Sequence, residues 1–388
     1  MSVTNSILFI SHDATRTGAP ILLKHHLRGL KAQYPDIEFD ILLRDGGEMS
    51  NEFEQITKVL YLPGRSLTTR ILNFILKGYN DYEHRVKKVI KKKYKLIYGN
   101  TVVTADMLRI AKINAPDIIT VCHVHELDIA IKQFSSPEIF RKAIPYIDHF
   151  ITASNAVTQL LTQSYGISAT NIYTHFEHIP LVTELMPVKN LLPAHKGLRI
   201  CGCGTLDWRK GIDIFVQTAF ILNKSQPELD FHFYWIGGKA GSIEHEKTKY
   251  DIKRLGIANK LTLVENCTNP LDYINECDIF LLTSREDPFP LVCLEAASLA
   301  KPIICFRQSG GMTEFVDDNI GWQIDYLDLN QLTKVLADIL NKPARSMILA
   351  QKGKAARQKV QQYDIKRGVD KLKVYLDNIM QHKSASIL

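Results

Sequence analysis

Short apolar runs, each giving way to a turn and then to a helix-period pattern, recur along this chain: Ile7 to Ile10, Phe39 to Leu43, Leu96 to Tyr98, Ile118 to Cys122 and His149 to Thr152. Runs that are apolar at every position suit strands buried on both faces. The helical stretches between them supply the crossovers that parallel pairing requires, so the pattern predicts a parallel sheet flanked by helices. It lapses between Pro180 and Gly197, which Pro187 and Pro193 also punctuate, and restarts with Leu198 to Cys201, Phe231 to Ile236, Leu261 to Val264, Ile279 to Leu282 and Ile303 to Phe306. A chain of 388 residues is too long for one ordinary core. The restart therefore predicts two α/β domains, residues 1–185 and 186–364, with Pro180 to Gly197 as linker. A final helical segment, 365–388, lies beyond the last strand of the second domain.

Composition excludes several classes. Hydrophobic residues at 45% and charged residues at 23% fit a globular protein rather than a disordered or fibrous one. The seven cysteines mostly lie in apolar runs without CxxC pairs, which reads as buried reduced thiols and a cytoplasmic protein. No apolar run approaches a signal-peptide core or a membrane span. The net charge of +7 favours anionic partners. Much of it gathers between Arg85 and Lys95, where Lys87, Lys88, Lys91, Lys92 and Lys95 share a helical side; this is either a solvated face or a peripheral contact with anionic membrane. No aromatic platform or nucleic-acid motif accompanies the cluster, so nucleic acid is not an expected partner.

In open parallel sheets ligands bind beyond the carboxyl ends of the strands, so polar residues there are the candidates for chemistry. The strand Ile279 to Leu282 runs into Ser284-Arg-Glu-Asp-Pro-Phe-Pro290 and a helix that carries Glu295. Amides opening that helix, around Phe289, Leu291 and Val292, can hold phosphate or sugar oxygens, while carboxylates accept from paired hydroxyls. Upstream, Gly202-Cys-Gly-Thr-Leu-Asp-Trp-Arg-Lys-Gly211 follows the strand at Leu198. Its two early glycines resemble a dinucleotide fingerprint. However, Asp207 occupies the third small position and no acid ends the next strand, so NAD is rejected. In the first domain, Gly18 and Ala19 follow a polar loop with His12 and Arg16, and His123-Val-His-Glu126 ends the strand Ile118 to Cys122. The latter cluster lacks the further ligands a metal needs, and His25-His26 reads as structural.

Asp287 and Glu295, with seven residues between them, together with Lys210-Gly211, resemble the signatures of the family-4 retaining glycosyltransferases. The resemblance implies two facing Rossmann-like domains (GT-B architecture), the first binding acceptor and the second a nucleotide-sugar. It gives Glu295 the nucleotide ribose and Asp287 hydroxyls of the donor sugar, where members of the family usually carry Glu and Glu286 lies adjacent. Lys210 would neutralise the leaving diphosphate. Thr205 stands where the family has arginine, and Arg209 is either the replacement cation or a solvent-facing charge on the loop. Gly18 and Ala19 would approach donor phosphate or acceptor, His125 a sugar hydroxyl with Glu126 orienting the ring, and Gly237 and Val264 the base; Gly310-Gly311 makes a turn near the same site. Pro290, often Gly in the family, has no N–H to give. The implied activity is retaining, cofactor-free and metal-independent sugar transfer to a glycan, lipid-linked or other hydroxyl acceptor, in cell-surface polysaccharide synthesis. A nucleotide-sugar epimerase and a noncatalytic binding subunit are the alternatives.

Overall fold

The computed structural model describes residues 6–63, 81–90, 94–182, 184, 187–265 and 267–385. The chain divides into two compact units: residues up to His178 joined by the helix Ile365–Ala385, and Ile179 to Asp364.

The first unit is built on seven parallel strands in the order β3-β2-β1-β4-β5-β6-β7. These are β1 (Ile7–Ser11), β2 (Phe39–Leu43), β3 (Val59–Tyr61), β4 (Leu96–Asn100), β5 (Ile119–Val124), β6 (His149–Thr152) and β7 (Ile172–Thr174). All five residues of β1 are buried. Side chains alternate across a strand, so Ile7 and Phe9 enter one helical layer with Leu23 and Leu27, while Leu8 and Ile10 enter the other with Met107, Leu108 and Ile110. Each such Leu or Ile contributes about 1.5–3 kcal/mol on burial. The first layer is completed by Val369, Leu372 and Leu376 of the last helix. That helix approaches the helix Gly18–Gln33 so closely that a Cβ on Gly29 would stand 2.5 Å from Val369 Cγ2. Segment 365–388, as far as it is described, is therefore part of the first unit.

The second unit has six parallel strands in the order β10-β9-β8-β11-β12-β13. They are β8 (Leu198–Cys203), β9 (Phe231–Ile236), β10 (Leu261–Val264), β11 (Ile279–Leu282), β12 (Ile303–Phe306) and β13 (Gly321–Ile324). In both sheets strand order reverses beside the first strand, between β1 and β4 and between β8 and β11. A sheet of this kind opens a crevice for ligand at that reversal.

Two expectations need correction. The stretch expected as linker is held on the second unit: Leu192 is buried, Glu276 accepts from the amides of Leu191 (2.6 Å) and Leu192 (3.0 Å), and Lys189 pairs with Asp272 at 2.8 Å. The chain passes between units at His178 and again at Ile365. Further, β3, β7 and β13 had no counterpart in the apolar pattern. Each is a three- or four-residue edge strand in which at least two side chains are only half-buried, so none needs a continuous apolar run.

The basic stretch begins in the helix Asp81–Val89, where Val86 is buried, Lys87 and Lys88 are exposed, and Lys87 pairs with Glu83 at 2.7 Å. Lys91, Lys92 and Lys93 lie outside the described residues. Among the described residues no helix is long and apolar enough to cross a membrane. No cysteine is in a disulfide, and burial raises the thiols of Cys122, Cys201, Cys293 and Cys305, which leaves them unreactive.

Candidate active site

In the second unit the loops after β8 and β11, the two strands flanking the reversal, come together. Lys210 donates to Asp287 Oδ2 at 2.6 Å, and Ser284 Oγ donates to the same oxygen at 3.1 Å. Asp287 itself is buried, with its amide on the Ser309 carbonyl (2.7 Å) and a bridge to Gly310. Lys210 thus sits on a fixed carboxylate. Asp287, expected to hold sugar hydroxyls, has one oxygen already committed.

The backbone under Lys210 is equally constrained. Gly211 adopts φ +71°, and a Cβ there would lie 2.0 Å from the Thr283 carbonyl oxygen, so both conformation and space demand glycine. Thr283 Oγ1 donates to the Lys210 carbonyl at 3.2 Å. Replacing Gly211 with alanine is expected to cost at least about 2 kcal/mol, from the left-handed penalty and displacement of β11; urea unfolding would measure it, and an unchanged midpoint would contradict this account.

Arg285 ties the two loops together. Its guanidinium pairs with both oxygens of Asp213 (2.8 and 2.7 Å) and donates to the Trp208 carbonyl at 2.7 Å, while its amide reaches the Arg209 carbonyl at 2.8 Å. Burial alone would raise the Asp213 carboxyl, but the Arg285 hydrogen bonds and charge outweigh it and hold the group below the usual range. No motif marked this staple. Arg209 extends to the Glu286 carbonyl at 3.2 Å, which places its cation on the β11 loop. Thr205 turns its hydroxyl to Asp207 (2.5 Å), whose other oxygen caps the Lys210 amide at 3.0 Å. Thr205 therefore shapes the loop by its side chain.

Glu295 lies in the helix Leu291–Ser298. Burial lifts its carboxyl to about 7, and among the described residues no hydrogen-bond or ion-pair partner meets it. A buried acid with an upward shift and no partner is a mark of a binding site. The same helix opens without a side-chain cap or acidic residue, so the amides of Leu291 and Val292 are available to an anion. Pro290 is the N-cap, a position that needs no N–H, and Phe289 is buried against Tyr363, ring centroids 5.7 Å apart. At the end of β9, Gly237 has φ +110° and donates to the Val264 carbonyl at 2.9 Å, leaving only backbone exposed there.

In the first unit Gly18 and Ala19 open the helix Gly18–Gln33, and a Cβ on Gly18 would meet nothing within 4 Å. Arg16 is engaged by Glu52 at 2.7 Å, while His12 is half-buried beside Asp13 at 3.4 Å. His125 joins a hydrogen-bonded chain. Asn100 Nδ2 donates to the Ala19 carbonyl (3.1 Å), which fixes the amide so that Asn100 Oδ1 faces His125 Nε2 at 2.8 Å; His125 Nδ1 meets Glu177 Oε1 at 2.7 Å. Burial would lower the imidazole, but the Glu177 charge and hydrogen bond, with Glu126 nearby, outweigh it and raise it.

Both ring nitrogens of His125 are thus taken, where a sugar hydroxyl had been expected. Nor does Glu126 orient the ring: its Oε2 accepts from the amides of His125 (2.9 Å) and Val102 (3.3 Å). The orienting acid is Glu177, just past β7, a short edge strand that no continuous apolar run marks in the sequence. The one available signal was the polar cluster His175-Phe-Glu-His178 after Ile172 to Thr174.

Comparisons with known proteins bear on this arrangement. Residues 188–357 match the family model described as glycosyl transferases group 1. An uncharacterized glycosyltransferase of Methanocaldococcus jannaschii is 24% identical over 334 residues, 85% of this chain and 87% of that protein. A poly(ribitol-phosphate) alpha-N-acetylglucosaminyltransferase of Staphylococcus aureus is 21% identical over 231 residues; the match spans 59% of this chain and 45% of that longer protein. Among solved structures, Anabaena HepE in complex with UDP and glucose superposes with TM-score 0.75 at 19% identity, covering 96% of this chain and 99% of that one. Sucrose-phosphate synthase from Thermosynechococcus elongatus gives TM-score 0.76 at 16% identity over 98% and 100% of the two chains.

Proposed function

Because residues 188–357 belong to the group 1 glycosyltransferases and the units have the Rossmann-like build of the GT-B fold, we propose that this chain transfers a sugar from a nucleotide-diphosphate sugar to a hydroxyl of a glycan or lipid-linked acceptor in cell-surface polysaccharide synthesis, with retention at the anomeric carbon. The observation that carries this reading is Glu295, a half-buried acid whose carboxylate meets no partner among the described residues, in the helix that follows the loop of Asp287, on which Lys210 rests. Two ribose hydroxyls supply the donors that carboxylate lacks. The amides of Leu291 and Val292 receive the diphosphate, and Gly237 and Val264 offer backbone to the base.

The chemistry follows from charge. As the glycosidic bond breaks, negative charge gathers on the diphosphate. Lys210, held by Asp287 and Gly211, stabilises it without reorganising, and the helix amides add to the effect. Arg209, on the neighbouring carbonyl, contributes a second cation. These groups act on the leaving group in place of a metal or cofactor, and the acceptor hydroxyl attacks on the face that the diphosphate leaves, its oxygen bonding the anomeric carbon as the carbon–phosphate oxygen bond breaks and its proton passing to the departing phosphate oxygen. The names of the Staphylococcus relative and of HepE in complex with UDP and glucose support a glycan product and a uridine nucleotide among the donors to try first. The stretch Arg85 to Lys95 would hold the chain at an anionic membrane; co-sedimentation with anionic but not zwitterionic vesicles is the expected result, and equal partitioning would remove this element.

The test is nucleoside diphosphate release from UDP-, GDP- and ADP-sugars with and without a hydroxyl acceptor. Release that requires acceptor, with the product retaining donor configuration, supports transfer. Conversion of the donor sugar without release would instead indicate an epimerase. Tight donor binding without turnover would indicate a binding subunit, which the local engagement of Thr205 by Asp207 favours over the other alternative.

A further inference from the structure

The first unit gathers buried imidazoles that sugar transfer does not use. His26, His123 and His175 are at most 1% exposed, and their ring centroids lie 5.6 to 6.5 Å apart. His26 Nε2, His123 Nε2, both nitrogens of His175 and Glu177 Oε2 are buried without a hydrogen-bond partner. Each such atom costs about 1–3 kcal/mol when left unmatched. Of these, His123 Nε2 and Glu177 Oε2 lie beside His125 in a group whose ligand atoms could meet one ion.

We propose that His123, His125 and Glu177 form a binding site for a divalent transition-metal ion of the zinc class. One ligand atom from each lies within 4.8 Å of the others, a spacing that small side-chain shifts close around an ion about 2.0–2.2 Å from nitrogen and oxygen ligands. A two-imidazole, one-carboxylate set suits zinc or cobalt better than magnesium or calcium, which prefer oxygen alone.

The supporting shell is what distinguishes this cluster from histidines that merely happen to be buried. Ligating histidines characteristically give their other ring nitrogen to a fixed partner. His123 Nδ1 is engaged by the Tyr98 hydroxyl, which leaves Nε2 for the ion. His125 Nε2 is engaged by Asn100 Oδ1, whose amide is locked by the Ala19 carbonyl, which leaves Nδ1, the atom that faces Glu177 Oε1 at 2.7 Å, to turn toward the ion. Lys371, which faces His175 and His178 electrostatically, is outside the ligand set. A fourth position remains for water or for His175, whose ring is 6.4 Å from that of His123. Glu126, adjacent in sequence to His125, is spent on backbone amides, so the decisive ligand is Glu177.

The test reads metal, not sugar transfer, and so is independent of the function proposed above. Tag-free full-length chain, stripped with chelator, is titrated with Co2+. One equivalent should bind with the visible d–d bands of four- or five-coordinate cobalt, and Zn2+ should displace it. Glu177→Gln should abolish the bands, and Asn100→Ala, which removes no ligand but takes away the partner of His125 and the bond to the Ala19 carbonyl, should weaken binding about 10–100-fold. If Glu177→Gln fails to fold, the Asn100→Ala arm decides. Absence of the bands, unchanged affinity in these variants, or a thiolate-to-cobalt charge-transfer band indicating cysteine ligation would overturn the proposal.

Discussion

Replacing Lys210 with alanine is expected to lower kcat for sugar transfer about 10²–10³-fold, equivalent to about 2.7–4 kcal/mol of transition-state stabilisation. The donor affinity should change far less, because Glu295 and the helix amides remain. The same substitution strands Asp287, which is 5% exposed and whose Oδ2 rests on Lys210 Nζ. Removing one member of a buried pair costs about 3–5 kcal/mol, so lower stability alone could mimic lost catalysis. The double variant Lys210→Ala/Asp287→Asn separates the two effects. It should recover most of the stability, read by denaturant midpoint, while leaving kcat depressed. Activity that returns together with stability would show that Lys210 is structural.

The second large effect is a pH dependence of nucleotide binding set by Glu295. In the free chain its carboxyl is lifted by burial from 4.5 to about 7. Ribose hydroxyls donate to the ionised form, so below about pH 7 a proton must leave on binding. Affinity for the nucleoside diphosphate should then fall by up to tenfold per pH unit. Glu295→Gln should bind more weakly at pH 8 and lose the part of the slope that Glu295 contributes, with the diphosphate's own titration left as background. Folding stability responds in the corresponding direction. Between pH 4.5 and about 7 the unfolded chain has already released this proton and the folded chain has not, so the empty protein loses about 3 kcal/mol as pH rises through that window. The glutamine variant should be spared that loss. Equal slopes in wild type and variant, by calorimetric titration, would exclude Glu295 from the nucleotide site.

Sequence and structure agree best where a residue does its work through local pattern. The inner strands of both sheets are buried on both faces and so must be apolar throughout, and the loops that follow β8 and β11 carry Lys210 and Asp287 in unbroken motifs. What escaped notice depends on pairing across long separations. Glu177 reaches His125 from 52 residues away in sequence, and Arg285 reaches Asp213 from 72; neither has a spacing rule. The side chain of Arg209 could not be aimed from sequence either, because its neighbour Lys210 takes the buried carboxylate and leaves it the Glu286 carbonyl. His125 shows the same limit. Its position at the end of β5 was legible, but the engagement of both ring nitrogens follows from Asn100 and Glu177, which arrive from β4 and from beyond β7.

The central claim is that the second unit holds a nucleotide-sugar through Glu295, Lys210 and the opening of the helix Leu291–Ser298. The most direct measurement is a crystal structure of the full chain with the nucleoside diphosphate that binds most tightly. The account predicts both ribose hydroxyls on the Glu295 carboxylate, with diphosphate oxygens within hydrogen-bond distance of Lys210 Nζ and the amides of Leu291 and Val292. A nucleotide bound elsewhere, or one that leaves Glu295 without a partner, would contradict it.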